Sequence, residues 1–407
     1  MRQRTWLLLI LLLALGLRTG YVLRLPNRLD LSGYGDQGTF DQLATSLADR
    51  SVFGLNGIPD AIRSPAYPVF LAVCYSLLGK SYVAVRAIQA VLGVLTVLLI
   101  FLWARSWRGG KAARWAGGIA AVYPFYIFYA GYLLQETLLV FMGALVLYLL
   151  HCQAVVEVQR SRADRLSLSF ASGAVLGMLL LTKASFLPFA GVVFLVLAAR
   201  RKEVLATLLG FALCVLPWLA RNTLLLGRPV WDTHGGITAF EGIVYYRFNK
   251  AGMGGTAIQA SDFWPGVSQM GELDQDRFFK AQVREFILAH PRTYLKQVFW
   301  NFMDFWRLYP RQGIRFVHRT VFLTLISLMF EPLLILFSLL ALWRWRGRWR
   351  EWLLPVAFVA CLTLVHSLVI AQMRYRLPVM GVLIVLSGGF LAGPFERQER
   401  KSREITE

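Results

Sequence analysis

Charge is scarce in this sequence, and negative charge scarcest. Only 16% of its 407 residues are charged, and acids number 23 against 43 Lys and Arg. That balance excludes an ordinary soluble domain, which carries about 25% charged residues. Cysteines are few: Cys74, Cys152, Cys214 and Cys361 lie singly in or beside apolar runs. No pair has metal-ligand spacing, which argues against a zinc site and a disulfide framework. His151, His234, His290, His318 and His366 do not cluster, so no His-x-x-x-His metal motif is readable. Internal repeats and low-complexity tracts are absent. Gly252-Met253-Gly254-Gly255 lacks the strand–turn–helix setting of a nucleotide loop and reads as a lid or linker.

What the chain has is apolar length. Hydrophobic residues make up 57% of it, in runs close to the roughly 20 residues that cross a hydrocarbon core about 30 Å thick. The runs fall near 5–25, 82–104, 113–130, 133–150, 167–182, 185–199, 204–220, 318–342, 352–371 and 377–394. The fold class is therefore all-α and polytopic, with about ten transmembrane helices. Met1-Arg2-Gln3-Arg4 and the following apolar run resemble a signal peptide, but no small-x-small cleavage site follows, so the segment reads as an uncleaved first span.

The net charge of +20 could suggest nucleic acid, yet much of the excess sits in short loops beside apolar runs. Arg105 to Arg114, Arg160 with Arg162 and Arg165, Arg200-Arg201-Lys202, and Arg344 to Arg350 all fall on one side if the N-terminus starts there. The positive-inside tendency makes that side cytoplasmic, with both termini on it and no nucleic-acid partner required. The tail, 396–407, then returns to the cytoplasm. Three regions follow: an N-terminal transmembrane module, 1–220, containing an outer loop 26–81; an extracytoplasmic loop region, 221–317; and C-terminal helices with the tail, 318–407. Within the outer segments, Phe40, Leu43, Ala44 and Leu47 share one helical face. From about Asp276, Phe279, Val283, Phe286 and Ile287 share another. After a break at His290-Pro291, Tyr294, Leu295, Val298 and Phe302 do the same. Lys280, Arg284, Arg292 and Lys296 take the polar side, the pattern of helices lying in a membrane interface.

The scarce charges gather at the extracytoplasmic boundary. Asp36 opens the first outer loop, and Glu136 sits between two apolar runs, where a carboxylate is costly unless it meets water or a partner. Arg63, Lys183, Arg221, His234 and Arg374 map to the same face. Cations there can grip a lipid-borne phosphate through charge-assisted hydrogen bonds. A carboxylate can take a proton from an attacking hydroxyl, and the cations also stabilise charge developing on a phosphate leaving group. That combination suits glycosyl transfer from a polyprenyl-phosphate sugar. Simpler uses compete: Asp36 also suits a helix N-cap, Asp41 and Asp49 a solvated helix face, and Lys183 and Arg374 snorkelling.

Several segments carry a family resemblance: Gly35-Asp36-Gln37-Gly38-Thr39-Phe40, Arg63-Ser64-Pro65-Ala66-Tyr67-Pro68, Val85-Arg86-Ala87-Ile88-Gln89-Ala90, Gln135-Glu136-Thr137-Leu138, Pro217-Trp218-Leu219-Ala220-Arg221-Asn222, His290-Pro291-Arg292 and Arg374-Tyr375-Arg376-Leu377-Pro378. In this order they resemble the GT-C membrane glycosyltransferases, in the family 39-like bacterial branch related to protein O-mannosyltransferases and the lipid A aminoarabinose transferase. The resemblance implies an inverting transferase in a bacterial inner membrane. It would use a polyprenyl-phosphate sugar, a lipid, glycan or protein acceptor, and no cofactor or metal. It maps the family's first-loop acid to Asp36, the second acidic position to Glu136, and the donor-phosphate cation to Arg63. Lys183, Arg221 and Arg374 are further candidates for the phosphate, and Gln37, Tyr67 and His234 for substrate. The family's first motif usually reads Asp-Glu; here it is Asp36-Gln37, one charge fewer. A transporter or flippase of lipid-linked glycans and a non-catalytic assembly factor are the competing classes.

Overall fold

The structure is a computed structural model that describes residues 2–29, 35–155, 161–250, 266–309 and 317–393. The 252–255 glycine stretch, Arg160 and the 396–407 tail lie outside them. In chain order the helices are α1 (Arg2–Val22), α2 (Asp36–Arg50), α3 (Ala66–Leu78), α4 (Tyr82–Val122), α5 (Pro124–Phe128), α6 (Glu136–Val155), α7 (Arg162–Thr182), α8 (Leu187–Leu197), α9 (Arg201–Leu226), α10 (Gly235–Lys250), α11 (Glu272–Ala289), α12 (Pro291–Phe305), α13 (Val317–Arg344), α14 (Trp349–Leu368) and α15 (Leu377–Leu391). Among the described residues there is no strand, and eight helices are long and apolar enough to cross a membrane.

Helix α4 has 41 residues, about 60 Å at 1.5 Å per residue and too long for one crossing. Gly109 divides it at φ 84°, a backbone state open to glycine without a Cβ clash. The expected spans 82–104 and 113–130 are thus the two limbs of α4, the second extended by α5. Helix α15 packs against α4, α6 and α13 and is buried from Leu377 through Gly389. It is apolar on every side because every side meets protein. Helices α7 and α9 approach through small residues: a Cβ on Gly173 would lie 1.9 Å from Thr207 O, and one on Gly210 2.1 Å from Phe170 O.

Tryptophans mark one end of the bundle. Trp107 in the α4 kink meets Trp352 at 3.9 Å and Trp345 at 4.9 Å between ring centroids. Arg114 lies over Trp6, so the N-terminus, the α4 kink and the α13–α14 turn share this basic end. At the other end, α2 buries Phe40, Leu43 and Ala44, the face expected from their spacing. Asp41 does not sit on a solvated face. It is buried and accepts from Tyr75 Oη at 2.7 Å, with Lys80 Nζ 3.0 Å away. Helix α11 begins at Glu272, four residues before the expected start, and α12 follows the break at His290. Phe279 turns inward onto Phe240 rather than outward. On α12 the polar Gln297 and Asn301 are buried while Leu295, Phe299, Phe302 and Met303 are exposed, as a lipid-facing helix requires.

Not all charges gather at one boundary, as the sequence reading expected. Glu331, midway along α13, is fully buried; it accepts from Arg376 Nη2 at 2.7 Å and from Tyr123 Oη. Arg18 is buried too, donating to the carbonyls of Ala14, Ala120 and Ala121. Removing one partner of a buried pair strands the other charge, a loss of about 3–5 kcal/mol. Glu331→Ala should lower stability by that order in detergent unfolding. Adding Arg376→Met should recover much of the loss.

Candidate active site

The site forms where the segment from α2 to α3, the start of α6 and the turn before α15 meet. The N-cap position belongs to Gly35, and Asp36 is the first residue of α2. Its carboxylate is held on both oxygens: Arg63 Nη2 donates to Oδ1 at 2.9 Å and Arg374 Nη2 to Oδ2 at 2.9 Å. Arg374 comes from the 3-10 turn Met373–Arg376, 338 positions further along the chain. Its Nε lies 3.6 Å from Glu136 Oε1. Two acids and two arginines therefore form one continuous cluster.

Further groups face it. The Lys183 ammonium sits 3.4 Å above the centre of the Tyr375 ring. Tyr375 stacks on His366 at 4.7 Å, and His366 on Phe305. A column of rings thus carries Lys183 to the rim. Burial pulls the lysine below its usual range, with Glu136 opposing that pull. His234 lies within electrostatic reach of Arg63 and Asp36, and burial chiefly pushes it down to about 3, so it is neutral. The 231–234 strip is laced to the first loop: Thr233 N donates to Ala61 O at 2.9 Å and Ser64 Oγ to Asp232 Oδ2 at 3.0 Å. Burial raises Asp36, but Arg374 and Arg63 outweigh it, and the net effect holds this carboxyl below its ordinary value.

The structure thus brings together Asp36, Glu136, Arg63, Lys183, Arg374 and His234. It puts three other candidates to different uses. Gln37 is buried, its Oε1 accepting from Leu133 N at 2.9 Å. Tyr67 is fully buried and donates to Gln89 Oε1 at 2.8 Å; Gln89 Nε2 in turn holds the carbonyls of Ala130 and Tyr132. Both residues are buried and brace the turn that delivers Glu136. Arg221 donates to Asp60 O at 2.6 Å and Phe53 O at 2.7 Å, with its guanidinium carbon 4.9 Å from the centre of the Trp218 ring, and so fastens the first loop to α9. The sequence reading missed Tyr375, the ring beneath Lys183, although the Arg374-Tyr375-Arg376 motif had singled out its segment. It also missed Glu241 on α10, which lies within electrostatic reach of Arg63 and Asp36. No spacing signal could have found Glu241.

Residues 62–220 match the family described as dolichyl-phosphate-mannose-protein mannosyltransferase. Over 99% of its length the chain superimposes on ArnT from Cupriavidus metallidurans bound to undecaprenyl phosphate, with a TM-score of 0.56 and 16% identity. Over 100% it superimposes on the oligosaccharyltransferase AglB from Archaeoglobus fulgidus, in complex with an inhibitory peptide and a dolichol-phosphate, with a TM-score of 0.58 and 14% identity. The chain has the GT-C fold. It spans 62% of the ArnT chain and 52% of AglB. No curated protein matches the sequence.

The GT-C cluster sets a pH dependence. A carboxyl whose pKa is depressed on folding stabilises fully above its unfolded value of about 3.9, and the contribution fades as pH falls through the lower folded value. Thermal midpoints of the wild type and Asp36→Asn in detergent should converge as the pH falls below about 4, where the wild-type carboxyl takes up its proton. A difference that did not shrink between about pH 4 and pH 2 would contradict the two-arginine clamp.

Proposed function

We propose that this GT-C chain is an inverting glycosyltransferase, moving a monosaccharide from a polyprenyl-phosphate donor to a lipid, glycan or protein acceptor. By the same reading it works at the extracytoplasmic face of a bacterial inner membrane, with both termini cytoplasmic. The observation that carries the proposal is the Asp36 carboxylate held between Arg63 and Arg374, with Glu136 on the same Arg374. The match of residues 62–220 to a mannosyltransferase family that uses a lipid phosphate supports it. So do the lipid phosphates bound to ArnT and AglB. Nothing in the geometry favours a transporter.

A carboxylate gripped by two guanidinium groups is a poor base, because they stabilise its charged form. An arriving donor phosphate competes for the same N–H groups. As Arg63 and Arg374 turn to the phosphate, Asp36 loses its counter-charges and gains proton affinity. It then takes the proton of the acceptor hydroxyl while that oxygen bonds to the anomeric carbon from the face opposite the phosphate. The bond from that carbon to the phosphate oxygen breaks, and the polyprenyl phosphate leaves with the electron pair. Arg63, Arg374 and Lys183 stabilise the negative charge it carries away. Glu136 orients the sugar or acceptor, and the neutral His234 is placed to hydrogen-bond substrate.

Transfer from synthetic polyprenyl-phosphate sugars by purified protein tests this reading. Asp36→Asn should fold and lose at least about a hundredfold in turnover, the low end for a general base; near-full turnover would remove Asp36 from the mechanism. Donor binding should raise the proton affinity of Asp36, so the acid limb of kcat should lie at higher pH than that of kcat/KM, which reports the free enzyme.

A further inference from the structure

Behind the cluster lies a small cavity between α4, α5, α6 and the start of α15. Phe125, Tyr126, Tyr129, Thr96, Glu136 and Thr137 are among the residues that line it, and it has room for a group about the size of one water molecule. Two of its lining residues carry a buried side-chain oxygen with no hydrogen-bond partner: Oε2 of Glu136 and Oγ1 of Thr137. These residues are only 2% and 6% exposed. Other polar atoms in the wall are already engaged, with Tyr126 Oη donating to Leu377 O at 3.2 Å and Thr96 Oγ1 to Leu92 O at 2.9 Å. Glu136 therefore uses one oxygen toward Arg374 and the reacting cluster, and leaves the other without a partner.

Leaving a buried acceptor and a buried hydroxyl unpaired is costly, and the pair defines what could satisfy them. Ionised Glu136 only accepts, so its partner must donate; Thr137 Oγ1 can donate or accept. A hydroxyl oxygen does both from a single atom and matches the space. A phosphate oxygen does not, since it would face the Glu136 carboxylate.

We propose that this cavity is a specificity pocket for the donor: it takes one hydroxyl of the transferred sugar, which donates to Glu136 Oε2 and accepts from Thr137 Oγ1. The proposal rests on the transferase reading and names residues that would choose the sugar. Sites built to hydrogen-bond a substrate hydroxyl reject analogues lacking it far more strongly than apolar pockets reject a missing methylene.

The test compares a series of polyprenyl-phosphate sugars, each deoxygenated at one position, in the wild type, Thr137→Val and Thr137→Ser. For one position the wild type should prefer the intact donor by at least about a hundredfold in kcat/KM. Thr137→Val should cut that preference to below about tenfold, and Thr137→Ser should restore it. Affinity for bare polyprenyl phosphate should be the same in all three chains. If Thr137→Val keeps the wild-type preference at every position, the cavity holds only water and the proposal is overturned. Loss of bare polyprenyl-phosphate affinity in Thr137→Val overturns it too, by assigning the hydroxyl to the phosphate. A wild-type chain that transfers no polyprenyl-phosphate sugar fails the transferase reading itself, a result distinct from either.

Discussion

The site depends on one carboxylate shared by two arginines from distant parts of the chain. Asp36 begins α2, Arg63 ends the loop that follows, and Arg374 arrives just before α15. The pairing closes one end of the bundle and brings Glu136 into contact through Arg374. In the free chain the acid quenches the cations and the cations quench the acid. In the proposed reaction a phosphate entering among them changes both at once, and that exchange is what would link donor binding to the basicity of Asp36.

Such a cluster needs a rigid frame, and the buried polar contacts supply one. Arg376, two residues beyond Arg374, is tied to Glu331 deep in α13. The same Glu331 accepts from Tyr123 at the bend between α4 and α5. The turn leading to Glu136 is fixed from below by Gln89 and from the side by Gln37. Arg221 and the 231–234 strip hold the first loop down onto α9. Interactions outside the cluster thus set the direction of every charged group within it.

Much of this was legible from the residues alone. Runs of apolar residues give the helices because the bilayer demands length. Asp36 and Glu136 stood out because carboxylates are rare beside such runs. Arg63, Lys183 and Arg374 followed from their place at the same boundary. The sequence misled where one residue type serves two purposes. Arg221 looks like Arg374 on paper, but its N–H groups meet backbone carbonyls, and only the three-dimensional loop shows that. Gln37 and Tyr67 lie in the right motifs yet turn inward to brace the frame. Glu331 escaped notice because a single acid in an apolar run says nothing of its partner, and Arg376 lies 45 residues away. Asp41 looked solvated because its partners, Tyr75 and Lys80, lie on another element.

The most direct measurement of the central claim is equilibrium binding of bare polyprenyl phosphate to the purified chain, without any transfer. The arginine clamp on Asp36 predicts that Arg374→Gln weakens this binding at least tenfold, about 1.4 kcal/mol, while Arg221→Gln leaves it unchanged. Equal affinity in the wild type and Arg374→Gln, or a loss confined to Arg221→Gln, would contradict the account.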